Sequence, residues 1–301
     1  MRIGLGAPVS GAWATPENLA RVAEEAERHG YASLWTLQRL LVGADQDLPP
    51  VYHSVLDPIT ALAFAAARTS RIRLGVGVIN MPFVPPAYLA KQAATLDVLS
   101  HGRLDLGLGV GWSPPEFTAT GASTARRGPR AVEYVQVLRT LWADEVSRFD
   151  GGCYVIPPSR ALPKPVQRPG PPVLLGGGVP AALRRAGRIA DGWISSSGAD
   201  LTRIADDIAL VRRGAEQAGK DPAAVRVVVR GVVRVDGRTD RLLSGPYDKI
   251  REDAAWLAER GVTELFYDLN FDRAVGNPAA DPDAAVERAM TIIHALRPGT
   301  A

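Results

Sequence analysis

Apolar and polar positions divide the chain into alternating strand-like runs and amphipathic helical stretches. Two glycine-studded runs, Ile72–Ile79 and Leu104–Val110, have no polar face, as expected of strands buried on both sides in a parallel sheet. Between them, Pro85-Pro86 can open a helix, Leu89, Ala93, Leu96, Val98 and Leu99 give it an apolar stripe, and Gly102 can end it. The result is a βαβ unit. Its glycines gather towards the C-terminal ends of both strands, where parallel α/β folds bind their ligands.

The same alternation runs through the whole chain. Ile3–Ala7 and Ser33–Thr36 read as strands, separated by a helix that starts at Thr15-Pro16-Glu17 with a cap, a first-turn proline and an acid against the dipole. Gly30 closes that helix. A long loop from Leu37 to Leu56 precedes a helix capped by Asp57-Pro58. After Gly111 a polar loop extends to Pro129, followed by a helix carrying Val132, Val135, Leu138, Leu141 and Trp142 on one face. Residues 144–172, rich in proline and glycine, read as an irregular insertion. Further strands follow at Val173–Leu175, Gly192–Ser196, Val225–Val235 and Thr263–Leu269, with helices at 180–190, 201–218, 246–260 and 281–296.

Eight strand–helix pairs with no spare element predict an α/β fold of the (β/α)8 TIM barrel class, as one domain over residues 1–301. Loop insertions are expected after strands 2 and 4 and before strand 5. An open doubly wound sheet is the alternative, although it would usually stop nearer five to seven strands.

Composition narrows the function classes. The net charge is only +3, and the arginines are scattered rather than gathered into a block, so no nucleic-acid footprint is evident. The single cysteine, Cys153, excludes an intramolecular disulfide and fits a reducing compartment. No apolar run approaches the roughly 18 residues of a membrane span. Nothing at the N-terminus reads as a signal peptide. A cytoplasmic globular protein, without membrane or nucleic-acid partners, is the expectation.

Candidate chemistry lies at strand ends. Gly77, Gly109 and Gly111 suit close approach of a ligand to the backbone, whereas Gly75 and Gly107, deeper in their strands, suit packing. Gly176, Gly177 and Gly178 stand at a strand-to-helix junction, where free N–H groups and the helix dipole favour an anion. His29, His101 and His294 fall at helix ends and call for no catalytic role.

LGVGV, LDVLSHGRLDLGLGVGW, FDGGCY, PKPVQRPGPPVLLGGG and ALRRAGRIADGW occur in this order. In this series the chain resembles the bacterial-luciferase-like monooxygenase family, and within it the branch of deazaflavin (coenzyme F420)-dependent oxidoreductases. The resemblance runs from Met1 to about Arg297 and implies a (β/α)8 barrel and a homodimer. It also implies hydride transfer between coenzyme F420 and a small organic substrate. FMN, in a flavin monooxygenase, is the alternative cofactor, and a non-catalytic cofactor-binding homologue is the alternative from another class. The resemblance further implies a cis peptide at Gly77–Val78 against the cofactor ring and cofactor phosphate at Gly176–Gly178.

The acid–base residues depart from the family pattern. Where many relatives carry an Asp-His pair, Gln38 and Arg39 stand here, and Trp112 replaces a glutamate after the fourth-strand glycines. Arg39 is permanently charged and cannot be a general base, but it can hold an anionic substrate or steady an oxyanion. Glu116 is the nearest loop carboxylate and a candidate acid, equally readable as a helix-start residue. Tyr52 and His53 are further proton-donor candidates, with a solvated loop position favoured for both. Arg126, Arg127 and Arg130 are placed to meet an acidic cofactor tail.

Overall fold

The computed structural model describes residues 1–299; the last two residues of the expected 1–301 domain lie outside the described residues. Eight parallel strands close into a barrel: β1 (Arg2–Gly6), β2 (Ser33–Thr36), β3 (Arg73–Asn80), β4 (Leu104–Gly109), β7 (Val173–Gly176), β8 (Gly192–Ile194), β9 (Arg226–Val232) and β10 (Glu264–Asp268). β1 pairs with both β2 and β10, which closes the circle. Sequence-adjacent barrel strands are neighbours throughout, as right-handed βα repeats require.

The helices form where caps and stripes predict. α1 (Pro16–Arg28) starts with the Thr15 side chain accepting from the Asn18 N–H, and α2 (Pro58–Arg68) with Asp57 accepting from Thr60. α3 (Pro86–Leu99) buries Leu89, Ala93 and Leu96. At the end of α2, the buried Arg103 guanidinium donates to the carbonyls of Ala66, Thr69, Ile72 and Ser100. It thereby satisfies chain-end carbonyls that would otherwise lack donors. The outer ring is completed by α5 (Arg127–Ala143), α6 (Pro180–Ile189), α7 (Ile204–Gln217), α8 (Tyr247–Glu259) and α9 (Pro282–Ala295).

Two details differ from the sequence expectation. The loop after β4 contains a short helix, α4 (Pro114–Ala119). The stretch 144–172 is not wholly irregular, because β5 (Ser147–Asp150) and β6 (Val155–Ser159) form an antiparallel hairpin. Its two prolines and exposed valine hide the alternation that normally marks a strand.

Inside the barrel, side chains fill successive layers. At the end where the strands begin, Asp105 is fully buried and receives Arg73 and Arg226, while Glu264 receives Arg2, Arg226, Ser33 and the Trp35 indole. Above this charged plug sit Trp35, Leu174, Ile194, Val228 and Phe266. Trp35 and Phe266 stack at 5.2 Å between centroids. Gly75 and Gly107 belong to this packing, as expected: a Cβ on Gly75 would lie 2.3 Å from the Trp35 ring, and one on Gly107 2.1 Å from the Val76 carbonyl oxygen.

Candidate active site

Above the aromatic layer, the C-terminal strand ends enclose a cavity of about 280 Å³. One side is β3, whose pairing with β4 shifts between Val76 and Ile79 because the strand bulges there. The Gly77–Val78 peptide within the bulge is cis, as the family resemblance implies. Val78 is turned towards the interior, so β4 must leave room for it. A Cβ on Gly109 would lie 2.6 Å from Val78 Cγ2.

Gly176 and Gly177 form the facing wall and lead into α6. Gly177 has φ +137°, a backbone region that side-chain-bearing residues rarely adopt. Its carbonyl accepts from the Trp193 indole at 2.8 Å, which ties the turn ahead of α6 to β8. Gly178 does not line the cavity itself, and a Cβ there would meet nothing within 4 Å.

Of the expected site residues, Gly77, Val78, Gly109, Gly111, Gly176, Gly177, Gln38 and Arg39 all line this one cavity. Gln38 accepts the Asn80 N–H at 2.7 Å through its side-chain oxygen, tying β2 to the end of the bulged strand. Its amide nitrogen has no hydrogen-bond partner among the described residues and remains able to donate.

Arg39 is not a free anion receptor. Its guanidinium lies 2.7 Å from Glu116 Oε2, with both side chains buried, and Glu116 Oε1 accepts the Leu40 N–H. The cation is also held between aromatic faces, 4.4 Å from the Trp112 ring centroid and 4.9 Å from that of Tyr52. Glu116 sits in the first turn of α4 and reaches the cavity only through Arg39. The pair is therefore internally neutralised, and Arg39 lines the cavity beside Trp112 as a paired cation.

Tyr52 departs from its expected loop role. It lines the cavity, with its hydroxyl 3.3 Å from Ser197 Oγ. His53, by contrast, points away and bonds the Leu48 carbonyl. Arg127 reaches the Gly111 carbonyl at 3.2 Å and Arg126 the Gly152 carbonyl at 3.5 Å, so both belong to the rim beside the hairpin.

The sequence reading missed Arg230, Asp268 and Ser195. Arg230 lines the cavity, donates Nε to Asp268 Oδ2 at 2.6 Å and lies 3.4 Å from the Gly77 carbonyl. Asp268 in turn accepts from Asn270. Ser195 accepts the Arg230 N–H at 3.0 Å. The missed signal was an arginine inside a valine-rich buried strand, because such a cation survives only when paired inside the barrel.

Comparison with known proteins agrees with this architecture. The chain is 35% identical over 294 residues to an uncharacterized protein of Mycobacterium tuberculosis, covering 93% of this chain and 95% of that one. It is 31% identical over 213 residues to the F420-dependent glucose-6-phosphate dehydrogenase of Amycolatopsis mediterranei, covering 68% and 61%. The crystal structure of the monooxygenase RslO1 from Streptomyces bottropensis shares the fold, with a TM-score of 0.81 at 24% identity over 99% of this chain and 98% of that one. A closed barrel, a bulged third strand and a sequence match spanning residues 2–292 place the chain in the luciferase-like monooxygenase family.

Proposed function

We propose that the protein is an F420-dependent oxidoreductase transferring hydride to or from a small organic substrate. The observation that carries this reading is the pairing of two surfaces in one cavity, the bulged Gly77–Val78 backbone and the glycine turn at the start of α6. The first is a flat backbone support for a ring, and the second offers amide donors for a phosphate. The F420-dependent relative at 31% identity supports the choice of branch. When bound, the deazaflavin would supply the hydride-carrying ring carbon, at C5.

The chain's own groups would then bind, orient and keep water out. Gly77, Val78, Gly109 and Gly111 would support the ring, while the amides of Gly176, Gly177 and Gly178 would receive phosphate. The free amide of Gln38 would donate to a substrate oxygen. The Tyr52 hydroxyl, coupled to Ser197, is the group placed to pass a proton. Arg39 and Glu116 would hold Trp112 and Tyr52 as the outer wall, a positioning role.

The test is a titration of the purified protein with coenzyme F420 and with FMN, paired with Gly177→Asp. The deazaflavin should bind more tightly than FMN, and the variant should lose at least about tenfold in affinity, because the new side chain strains the backbone and repels phosphate. Tighter FMN binding, with oxygen consumed during turnover of carbonyl and enoyl substrates, would instead establish the flavin monooxygenase. Cofactor binding without any turnover would point to a non-catalytic homologue.

A further inference from the structure

At the opposite end of the barrel, the first and last helices of the ring bring together three metal-ligating side chains. Glu25 lies in the last turn of α1, His29 caps that helix, and His294 lies in the last turn of α9. Their ligand atoms all fall within 4.8 Å of one another. Glu25 Oε2 is the common point, 3.2 Å from His29 Nε2 and 3.7 Å from His294 Nε2. The two imidazoles meet edge to face at 4.7 Å between centroids.

These distances bear on what the cluster can hold. A tetrahedral ion with nitrogen and oxygen ligands at 2.0–2.1 Å sets its ligand atoms about 3.3–3.4 Å apart. The two Glu25–histidine separations bracket that value. Glu25 and His29 stand four residues apart on one helix face, the spacing that presents two ligands side by side. The other carboxylate oxygen, Oε1, is taken by Arg28, which orients Oε2 towards the imidazoles as an outer hydrogen-bond partner does for a metal ligand. The imidazole side chains make no hydrogen bond to any other protein group among the described residues, so nothing else claims their ligating nitrogens.

We propose that Glu25, His29 and His294 form a surface site for a borderline transition-metal dication such as Zn²⁺, clamping the C-terminal end of α1 to that of α9. Water would complete the tetrahedron. The chain's two end helices flank the β1–β10 seam where the barrel closes, so the bound ion would cross-link the place where the ring is joined. The site is structural: it stands outside the barrel, at the face opposite the cavity.

The experiment uses the tag-free protein, titrated calorimetrically with Zn²⁺ alone near pH 7.5. The expected result is one saturable site, weakened at least about tenfold by His294→Ala and by Glu25→Gln, together with a Zn²⁺-dependent rise in Tm seen only in the unmutated protein. The His294 side chain is 47% exposed, so its variant should fold, as circular dichroism would verify. Co²⁺ in the same site should give the visible absorption of tetrahedral nitrogen–oxygen ligation. No saturable binding up to 1 mM Zn²⁺ (about 4.1 kcal/mol of binding free energy), or isotherms unchanged by either variant, would overturn the proposal.

Discussion

At the scale of single residues, the most consequential arrangement is the buried pair behind Trp112. Arg39 and Glu116 are held together with almost no access to water, and Arg39 Nε has no hydrogen-bond partner among the described residues. Removing one partner strands the other as an uncompensated buried charge, whereas replacing both restores neutrality. Arg39→Met should therefore lower stability by about 3–5 kcal/mol, and Arg39→Met combined with Glu116→Gln should recover a large part of that loss. Chemical denaturation of the two singles and the double variant checks this. Additive losses would mean that the two side chains are not coupled. Both residues were legible in the sequence as candidates, but their relation was not. Arg39 shows its charge in the local sequence; its counterion lies 77 positions on and is delivered by a helix too short to announce itself.

At the scale of elements, the eight barrel strands and their helices follow closely from apolar runs, caps and glycine stops. Buried parallel strands impose near-continuous hydrophobicity, and helices impose a 3.6-residue stripe, so both leave strong traces. The β5–β6 hairpin left none, because its strands are partly exposed and β6 bears two prolines. Its turn is organised from outside, by Glu133 of α5, which accepts the N–H groups of Gly152, Cys153 and Tyr154. Burial opposes ionisation of Glu133, but these donors prevail and hold its carboxyl below the usual range. Glu133→Ala should loosen the hairpin without unfolding the barrel. Amide exchange should accelerate at residues 151–155 while the barrel strands keep their protection. Unchanged exchange there would show that the hairpin holds itself. Arg103 shows the converse. It belongs to a motif that pointed to a family, yet its hydrogen bonds serve the ends of α2 and α3 rather than the cavity.

At the scale of the whole molecule, the charged plug depends on closure. Its members come from the starts of β1, β2, β3, β4, β9 and β10, and no local stretch of sequence hints that they meet. Burial opposes ionisation of Asp105, but hydrogen bonds from Arg73 and Arg226 outweigh it and keep the carboxyl below its usual range. A depressed folded pKa contributes stability that is complete above the unfolded value of about 3.9 and is lost as pH falls through the folded one. Asp105→Asn should cost about 3–5 kcal/mol near neutral pH, by leaving two arginines short of a carboxylate. The gap between the two proteins should hold from pH 7 to about pH 5 and narrow only below about pH 4. Urea denaturation across that range tests it, and a gap that widened in acid would reverse the assigned sign. The plug also fixes how the interior can be reached. A barrel sealed at one end by salt bridges and a stacked aromatic layer is a cup rather than a tunnel. Whatever occupies it enters and leaves over the same rim, beside Trp112 and the glycine turn. Of two occupants, the deeper must arrive first and depart last.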